Sequence, residues 1–536
     1  MKNMFLVKKS ISIFALTIFA ILCIIFLVAL ISAFIPTFHL QSNMLENNAH
    51  SKTEGLWNTT IFTLKQALLS TLLALIIGIS AAFFTARRKF FGKKFLLSMS
   101  AIPMCMPTLL VALGFVMFLG IQGSANRFLM KVCNLPEPPL TFLYSFWGII
   151  IAHGFYNFPI IMKTCHNAWA SIPAKEYDAA LLLGAKPSRI FRTVTLFHLI
   201  PSIVSSAILV FIFCFFSFVI VLLFGGVGTS VLEVEIYQTA RTTLNFAKAS
   251  KLAIIETGIA AISILIYSYI ENKNNKTFGI AFDNERIPQK KLNKTETIIF
   301  ILFLILIFFF FIAPFFSILF AAFTKKGFTL ANFQKLFLRK SFWNAFFNTI
   351  ITGLSTATLS VISAVFLACI TSKKKSTLLK TLSLLPMAVS SVVLGMGMTF
   401  LVHKGNPFIL ILAQASIFWP FAYKQISASM EQIPQNILDA SSCLSINKLD
   451  IDFMIRIPMC FKSILSAFSF CFAMSAGDAT LPLMLAIPKF ETLALHTYKL
   501  AGSYRFQEAC ACGVILAIIT VPLFIFTNTE KRGKTK

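Results

Sequence analysis

Charged residues are scarce in this chain, and acidic residues are the scarcest of them. Of its 536 residues only 12% are charged, against about 25% in an ordinary soluble domain, and 20 Asp or Glu stand beside 47 Lys or Arg. Hydrophobic residues make up 57% of the chain, and 60 of them are Phe. This composition excludes a soluble globular protein and is typical of a protein that crosses a membrane many times.

Motifs that would mark an enzyme or a metal site are also missing. The 11 Cys form no CxxC pair, and Cys510 and Cys512 make a lone CxC inside an apolar run, which predicts buried thiols. The seven His are dispersed, and no H-E-x-x-H occurs. His153 stands among aromatic residues, which favours a packing role. We therefore expect no catalytic residues, no metal site and no enzymatic activity in this chain.

A nucleotide-binding loop is absent as well. The nearest approach to G-x-x-x-x-G-K-[ST] is Gly533-Lys534-Thr535, but Asn528 stands where the first Gly of that motif belongs. No strand precedes this segment, and a phosphate cradle needs glycines in front of a helix N-terminus. We interpret the segment as a basic tail and expect no cofactor in this chain.

Twelve apolar runs are long enough to cross a bilayer, six in each half of the chain. They lie near 10–34, 60–86, 97–121, 143–165, 198–224, 251–271, 296–323, 345–371, 378–402, 406–426, 461–487 and 508–527. The first run lacks a small-x-small cleavage signature, so we expect a retained helix. The predicted fold is all-α and polytopic, with about 12 transmembrane helices.

The basic residues predict the orientation of these helices. With both termini in the cytosol, cytosolic segments hold 31 of the 47 Lys and Arg residues, as the positive-inside rule requires. One predicted outer loop, 324–342, contradicts the rule with five basic residues. The net charge of +27 is thus explained by short membrane-flanking loops, and we expect no nucleic-acid partner.

One polar segment near residue 180 recurs 261 residues further on. Ile172-Pro173 precedes Asp178-Ala179 in the first copy, and Ile433-Pro434 precedes Asp439-Ala440 in the second. The same offset joins pairs on both sides of the segment: Pro159 with Pro420, Lys163 with Lys424, and Tyr237 with Tyr498. An offset kept over this distance predicts a two-fold internal repeat.

A second register defines the limits of the repeat. Trp57-Asn58 matches Trp343-Asn344 at an offset of 286, and Leu113-Gly114 matches Leu394-Gly395 at 281. The decrease of the offset to 261 predicts extra residues in the first half, in the outer loop 121–142. We therefore expect three parts, which are a first half at 1–271, a polar cytosolic linker at 272–295 and a second half at 296–536.

The repeated polar segments resemble the EAA motif of ABC-importer membrane subunits, which is E-A-A, three residues, G, nine residues and I-x-L-P. The first copy has Asp178, Ala179, Ala180 and Gly184, with Phe197 in place of the Pro. The second copy matches the motif in Asp439, Ala440 and the later Ile455, Ile457 and Pro458, with Ser441 and Ser445 replacing Ala and Gly. The resemblance implies that these eight residues of the two E-A-A-to-G stretches form the contact with an ATPase: Asp178, Ala179, Ala180, Gly184, Asp439, Ala440, Ser441 and Ser445.

The whole chain resembles the fused permeases of the iron(III)/thiamine import group. Stretches near 151–159 and 216–238, and a third near 498–505, look more like the thiamine branch than the iron branch. The resemblance implies a bacterial inner-membrane permease that moves a small substrate, with thiamine or its phosphates favoured and iron(III) as the alternative. It also implies an extracytoplasmic binding protein, and a separate cytosolic ATPase homodimer that holds ATP and magnesium.

Acidic residues inside apolar runs are the candidates for the substrate pathway, because intramembrane charges are costly. Asp478 and its repeat partner Ser217 could line a route between the halves, or Asp478 could cap backbone or pair with a loop Lys. Glu256 is expected at the outer membrane interface, paired with Lys248 or Lys251. Glu233 is expected on a solvated outer loop.

Two other classes of protein remain open on the sequence. A secondary transporter also has two six-helix halves, but it has no use for two EAA-like segments at one offset and requires ion-coupling charges at mid-membrane. An intramembrane enzyme requires a polar catalytic cluster near one interface, and the sequence offers none.

Overall fold

The first part of the chain contains thirteen helices among the residues that the structure describes. The computed structural model describes residues 2–39, 49–99, 106–225, 230–278, 287–324, 327–374, 377–402, 404–444 and 448–529. The helices up to residue 278 are α1 (Lys2–Phe34), α2 (Pro36–His39), α3 (Ala49–Arg87), α4 (Lys93–Met99), α5 (Thr108–Leu119), α6 (Ser124–Cys133), α7 (Phe146–Ala170), α8 (Ala174–Leu182), α9 (Pro187–Ile190), α10 (Leu196–Phe215), α11 (Val219–Phe224), α12 (Leu232–Arg241) and α13 (Phe246–Phe278).

The second part contains fourteen more helices among the described residues. They are α14 (Lys294–Ile307), α15 (Ala313–Ala322), α16 (Ala331–Phe337), α17 (Lys340–Lys374), α18 (Thr377–Leu384), α19 (Ser391–Leu401), α20 (Pro407–Glu431), α21 (Gln435–Leu444), α22 (Lys448–Ile451), α23 (Ile457–Met459), α24 (Phe461–Gly477), α25 (Thr480–Leu485), α26 (Leu493–Gly502) and α27 (Phe506–Thr529). Short 3-10 turns (Phe142–Tyr144, Leu385–Ala388) and π-helical segments (Phe191–Thr195, Phe308–Ile312, Asp452–Arg456) complete the helical structure.

The helices account for the predicted membrane spans. Within the described residues, seven helices or collinear helix pairs are long and apolar enough to cross a bilayer, and two bent pairs raise the number to nine. The more polar α7 and α20, each 25 residues long, and α27, with 24, coincide with the three remaining apolar runs. A 25-residue helix is about 37 Å long, enough for a hydrocarbon core of about 30 Å. The all-α polytopic fold is confirmed.

The internal repeat is visible in the helix boundaries themselves. α7, α11 and α12 begin and end 261 residues before α20, α25 and α26 respectively. The π-helical segments Phe191–Thr195 and Asp452–Arg456 are related by the same offset. The predicted duplication is therefore confirmed at the level of backbone conformation, including its irregular parts.

The extra residues of the first half lie where the change of register predicted them. Between α5 and α7 the chain forms α6 and a 3-10 turn, whereas residues 402–406 alone join the corresponding α19 and α20. Asn126 on α6 fixes this connection, since its side chain accepts from the Leu140 amide (2.8 Å) and donates to the carbonyls of Gly120 and Leu140 (both 2.9 Å). The inserted residues therefore form an ordered connection in the first half.

The first helix of each half packs against helices of the other half. α1 packs against α17, α19 and α20 in the second half, and α15, which continues from α14, packs against α5 in the first. The Ser32 hydroxyl on α1 donates to the Gly397 carbonyl of α19 (2.7 Å), and Ser317 on α15 hydrogen-bonds Ser124 (3.0 Å). The two halves are therefore interlocked along two helix crossings.

Both crossings depend on a glycine. A Cβ on Gly397 would lie 1.9 Å from the Ala29 carbonyl oxygen, and one on Gly114 would lie 2.9 Å from the Pro314 carbonyl oxygen. Such close backbone contact is how membrane helices associate when both partners are as apolar as lipid. The contacts pair Gly114 with Gly397, so the predicted match of Gly114 with Gly395 was wrong by two residues. Sequence alignment missed this because both helices offer small residues nearby.

The polar connection between the two halves contacts the end of α3 in the first half. β1 (Arg88–Lys89), directly after α3, pairs in parallel with β2 (Lys290–Lys291). Arg88 holds Glu296 at the start of α14 through two charge-assisted hydrogen bonds (2.9 and 2.5 Å), and Gln289 donates to the Ala86 carbonyl (3.0 Å). α13 continues to Phe278, seven residues into the predicted linker, so the limits given to the parts stay a prediction.

We expect Gly397→Leu to destabilise the protein strongly, because the new side chain must displace the α1 backbone. Overpacking a tight contact costs about 1–3 kcal/mol or more. The measurement is the temperature at which half of the detergent-purified protein loses its monodisperse peak on size exclusion. Gly258→Leu is the matched control, since a Cβ there meets nothing within 4 Å. Equal melting temperatures for the two variants would contradict the close crossing.

Candidate functional site

The first EAA-like segment forms the short helix α8, which ends at a defined glycine. Gly184 has φ +73°, and its amide donates to the Leu181 carbonyl (2.9 Å) while the Ala185 amide donates to the Ala180 carbonyl (3.1 Å). These two bonds are the Schellman pattern, in which a left-handed residue closes a helix. Gly184 therefore turns the chain out of the helix, as expected from the sequence.

The second EAA-like segment forms α21 in the corresponding place. Its Asp439 accepts a hydrogen bond from Gln435 (2.9 Å), and the buried Ser441 donates to the Leu438 carbonyl (2.7 Å). Ser445, predicted as the counterpart of Gly184, lies outside the described residues. The role of these residues in binding an ATPase stays a prediction, but Asp439, Ala440 and Ser441 lie on a helix as expected.

Both helices expose small side chains and some apolar ones. Asp178 and Ala179 are exposed and Ala180 is half-buried on α8, and Asp439 and Ala440 are exposed on α21. Sequence reasoning missed the leucines that follow them: Leu182 and Leu183 are 90% and 87% exposed, and Leu444, 261 residues after Leu183, is 88% exposed. An apolar triplet within a polar segment was the signal that could have identified them.

A basic residue near the end of a long membrane helix contacts the polar segment in each half, but at a different place in that segment. Arg87, the last residue of α3, lies over the ring of Tyr177 on α8, with its guanidinium carbon 5.1 Å from the ring centroid. Its counterpart Lys373, near the end of α17, binds the buried Asp452, which also accepts from Arg456 (3.0 Å). Arg87 thus holds α8 itself through a cation–π contact, whereas Lys373 holds the π-helical segment Asp452–Arg456, which lies beyond α21, through an ion pair.

Ser217, one of the two predicted pathway residues, belongs to a buried chain of hydrogen bonds in the first part. His153 lies at the centre of this chain, with Nε2 2.7 Å from the Ser217 hydroxyl and Nδ1 2.8 Å from the Gln66 amide nitrogen. Gln66 also donates to Ser70 (3.1 Å). The chain joins α3, α7 and the residues after α10. His153 is therefore a hydrogen-bonding residue, and the expectation of mere packing was wrong.

Asp478, the other predicted pathway residue, has an equivalent chain in the second part. Gln414, 261 residues after His153, donates to one Asp478 oxygen (3.1 Å) and accepts from Ser475 (2.6 Å) and Thr356 (3.3 Å). The other Asp478 oxygen accepts from the Thr480 amide (2.9 Å). Asp478 thus caps α25, which was one of its two expected roles, and each half holds its own pathway candidate by the same framework.

Two further carboxylates are buried where the sequence placed them at the surface. Glu256 is 0% exposed and Glu233 is 3% exposed, so the expectations of an interfacial Glu256 and a solvated Glu233 were wrong. Both lie within electrostatic range of each other, and the Ser390 hydroxyl stands beside both. The cause is the packing of α12 and α13 against the second half, which a single sequence does not reveal.

Carboxylates in the connections outside the spans are paired instead. Glu235 holds Lys248 at 2.5 Å, and Glu491 holds Lys499 at 2.5 Å and His496 at 2.9 Å. Partial burial raises the pKa of Glu491, but its hydrogen bonds from Lys499 and His496 outweigh burial and leave that pKa below its usual value. These pairs show that basic partners are available near the membrane surface and are used there.

The described residues include no three His, Cys, Asp or Glu side chains placed close enough to hold a metal ion together. The tail segment Gly533-Lys534-Thr535 lies outside them. What the described part of the chain offers is two short helices with exposed apolar side chains, and buried polar groups within and between its halves.

Comparison with known proteins agrees with these features. The chain is 25% identical over 493 residues to the thiamine transport system permease protein ThiP of Escherichia coli (strain K12), covering 89% of each chain. It is 25% identical to ThiP of Brucella abortus (strain 2308), over 88% of this chain and 87% of that one. The ferric transport system permease protein FbpB of Actinobacillus pleuropneumoniae is 26% identical, over 84% of this chain and 68% of its own length.

One solved structure, a bacterial ABC transporter involved in the import of the acidic polysaccharide alginate, matches with a TM-score of 0.36 and 16% identity, over 45% of this chain and 98% of that one. Residues 74–276 and 360–529 both match the family described as binding-protein-dependent transport system inner membrane component. This confirms the resemblance drawn from the repeated segments. Since the two matched segments cover more than half of its length, the chain belongs to the family of binding-protein-dependent transport system inner membrane components.

Proposed function

We propose that this chain is the membrane-spanning permease of an ATP-driven importer whose substrate is thiamine or a thiamine phosphate. The observation that carries the proposal is the alignment with thiamine permeases along 88–89% of this chain, through both repeats. The ferric permease supports iron(III) as the second candidate, although the aligned region covers only 68% of that relative.

Energy for transport comes from a separate ATPase, a homodimer that carries ATP and magnesium. Its docking sites on this chain are α8 and α21, where Ala179 and Ala440 allow close approach and the exposed leucines supply apolar area. Burying one leucine side chain stabilises a complex by about 1.5–3 kcal/mol. Arg87 then passes movement of α8 to the long helix α3, and Lys373 links the segment that follows α21 to the long helix α17.

Both termini lie in the cytosol of a bacterial cell, and the chain crosses its inner membrane. This orientation follows from the distribution of Lys and Arg and puts α8 and α21 on the same side, where an ATPase can grip both. The connections after α11 and α25 then face outward and receive substrate from an extracytoplasmic binding protein. The family description, which names binding-protein-dependent transport, supports this partner.

We expect Leu183→Arg combined with Leu444→Arg to weaken ATPase binding at least tenfold, because two apolar contacts are replaced by charges. The measurement is co-purification of the ATPase with tagged permease, quantified against the wild type. The matched control is Leu330→Arg with Leu338→Arg, two leucines that are 54% and 85% exposed in the predicted outer loop 324–342. Wild-type co-purification of the first pair of substitutions would remove α8 and α21 as docking sites.

We also expect thiamine uptake by the reconstituted complex to require ATP and to be independent of a proton gradient. Proteoliposomes containing permease, ATPase and binding protein are loaded with ATP or with ADP, each with and without a protonophore. Uptake should fall to background with ADP and stay within about twofold of the control with protonophore. Uptake that follows the proton gradient would favour a secondary transporter instead.

A further inference from the structure

Glu256 lies within the apolar run of a membrane helix. It is the eleventh residue of α13, about 15 Å from the start of the helix, and it follows Lys251 by five residues within the run at 251–271. Its side chain is 0% exposed, and neither carboxylate oxygen has a hydrogen-bond partner among the described residues. An ionisable group in such a place is costly and calls for a function.

Glu233 brings a second carboxylate to the same place. It lies in the first turn of α12, where the helix dipole favours a negative charge, and it is 3% exposed. Glu256 and Asp478 are both within its electrostatic range. Ser390 stands beside Glu233 and Glu256 at the start of α19, although it makes no hydrogen bond of normal geometry to Glu256. The group therefore contains carboxylates from both halves and lies on the seam between them.

No cation of the described protein balances these charges. Lys248, the first basic residue of α13, forms an ion pair with Glu235, and the Lys251 side chain is exposed. The Gln414 amide and two backbone amides satisfy Asp478 but bring no positive charge. A buried carboxyl group without a counter-charge in the protein is either protonated or takes a positive charge from outside the protein.

The arrangement selects the kind of cation. A bare metal ion requires several ligands at about 2.0–2.6 Å, and these carboxylates do not converge to that distance. An organic cation with its charge spread over a ring does not need carboxylates that converge on one point. Such a cation also loses less hydration energy on entering the membrane than a compact ion does, because its charge density is lower.

We propose that Glu233 and Glu256, together with Asp478, form an intramembrane site for the positive charge of an organic cation that passes between the two halves. The inference rests on the proposed function in one respect, which is that the cation is the transported molecule. The thiazolium ring of thiamine is a cation of this kind. Glu233 and Glu256 bind the charge, and Asp478, held by Gln414, is the acceptor on the opposite half.

The test measures binding and uptake with permease that carries its ATPase. Equilibrium dialysis with radiolabelled thiamine gives the Kd of the complex in nanodiscs without binding protein, and proteoliposomes give uptake. We expect Glu256→Gln and Glu233→Gln to raise the Kd and lower uptake at least tenfold, because each removes a negative charge and keeps the side-chain shape. Glu235→Gln, on the same helix as Glu233 but paired with Lys248, should stay within twofold.

A measurement on the unmodified protein guards against variants that fail to fold. Dicyclohexylcarbodiimide labels carboxyl groups inside membranes, and mass spectrometry reports labelling at Glu256. Thiamine, and tetraethylammonium as an unrelated organic cation, should each reduce this labelling at least fivefold, whereas the neutral derivative thiochrome should not.

The outcomes separate this inference from the proposed function. Wild-type thiamine uptake that persists in both Gln variants would overturn the cation site and leave the importer intact. A wild type that imports no thiamine, but whose Glu256 is protected by tetraethylammonium, would overturn the substrate and keep the site. If no cation protects Glu256, the carboxyl groups share a proton as structural elements and the inference fails.

Discussion

Two helix crossings that leave no room for a side chain hold this protein together. At each of them the first helix of one half lies against a glycine of the other, Gly397 under Ala29 and Gly114 under Pro314. Lipid offers apolar groups as good as those of a neighbouring helix, so close packing must stabilise the association. Because the crossings exchange helices in both directions, the halves cannot separate, and the seam between them is kept at a fixed place in the membrane.

The two halves share a backbone but have diverged in chemistry. His153 and Gln414 occupy the same position and organise different side chains, Ser217 in one half and Asp478 in the other. At the membrane edge Arg87 uses an aromatic ring, while Lys373 uses a buried carboxylate. A single chain that carries both copies can adapt each of them separately, which two identical subunits cannot do. The seam can therefore present different groups to the two ends of an asymmetric molecule.

The backbone hydrogen bonds that the two halves share are as informative as their differences. Thr63 and Thr349 each accept from the first amide of a short helix in their own half, Leu232 (3.0 Å) and Leu493 (2.7 Å). A membrane interior supplies no water to satisfy such an amide, so a hydroxyl must be in place. This explains why both halves keep a threonine at this position.

The sequence by itself determined the number of apolar runs, the offset of the repeat and the helical character of the segments at Asp178 and Asp439, because these depend on local composition and spacing. It did not reveal the surroundings of Glu233 or Glu256, nor the exposure of Leu183. Burial of an acid in a membrane protein depends on which helices pack around it, and α12 and α13 pack against helices of both halves. Only the tertiary structure decided that, since contacts between residues more than a hundred positions apart leave no periodic trace in one sequence.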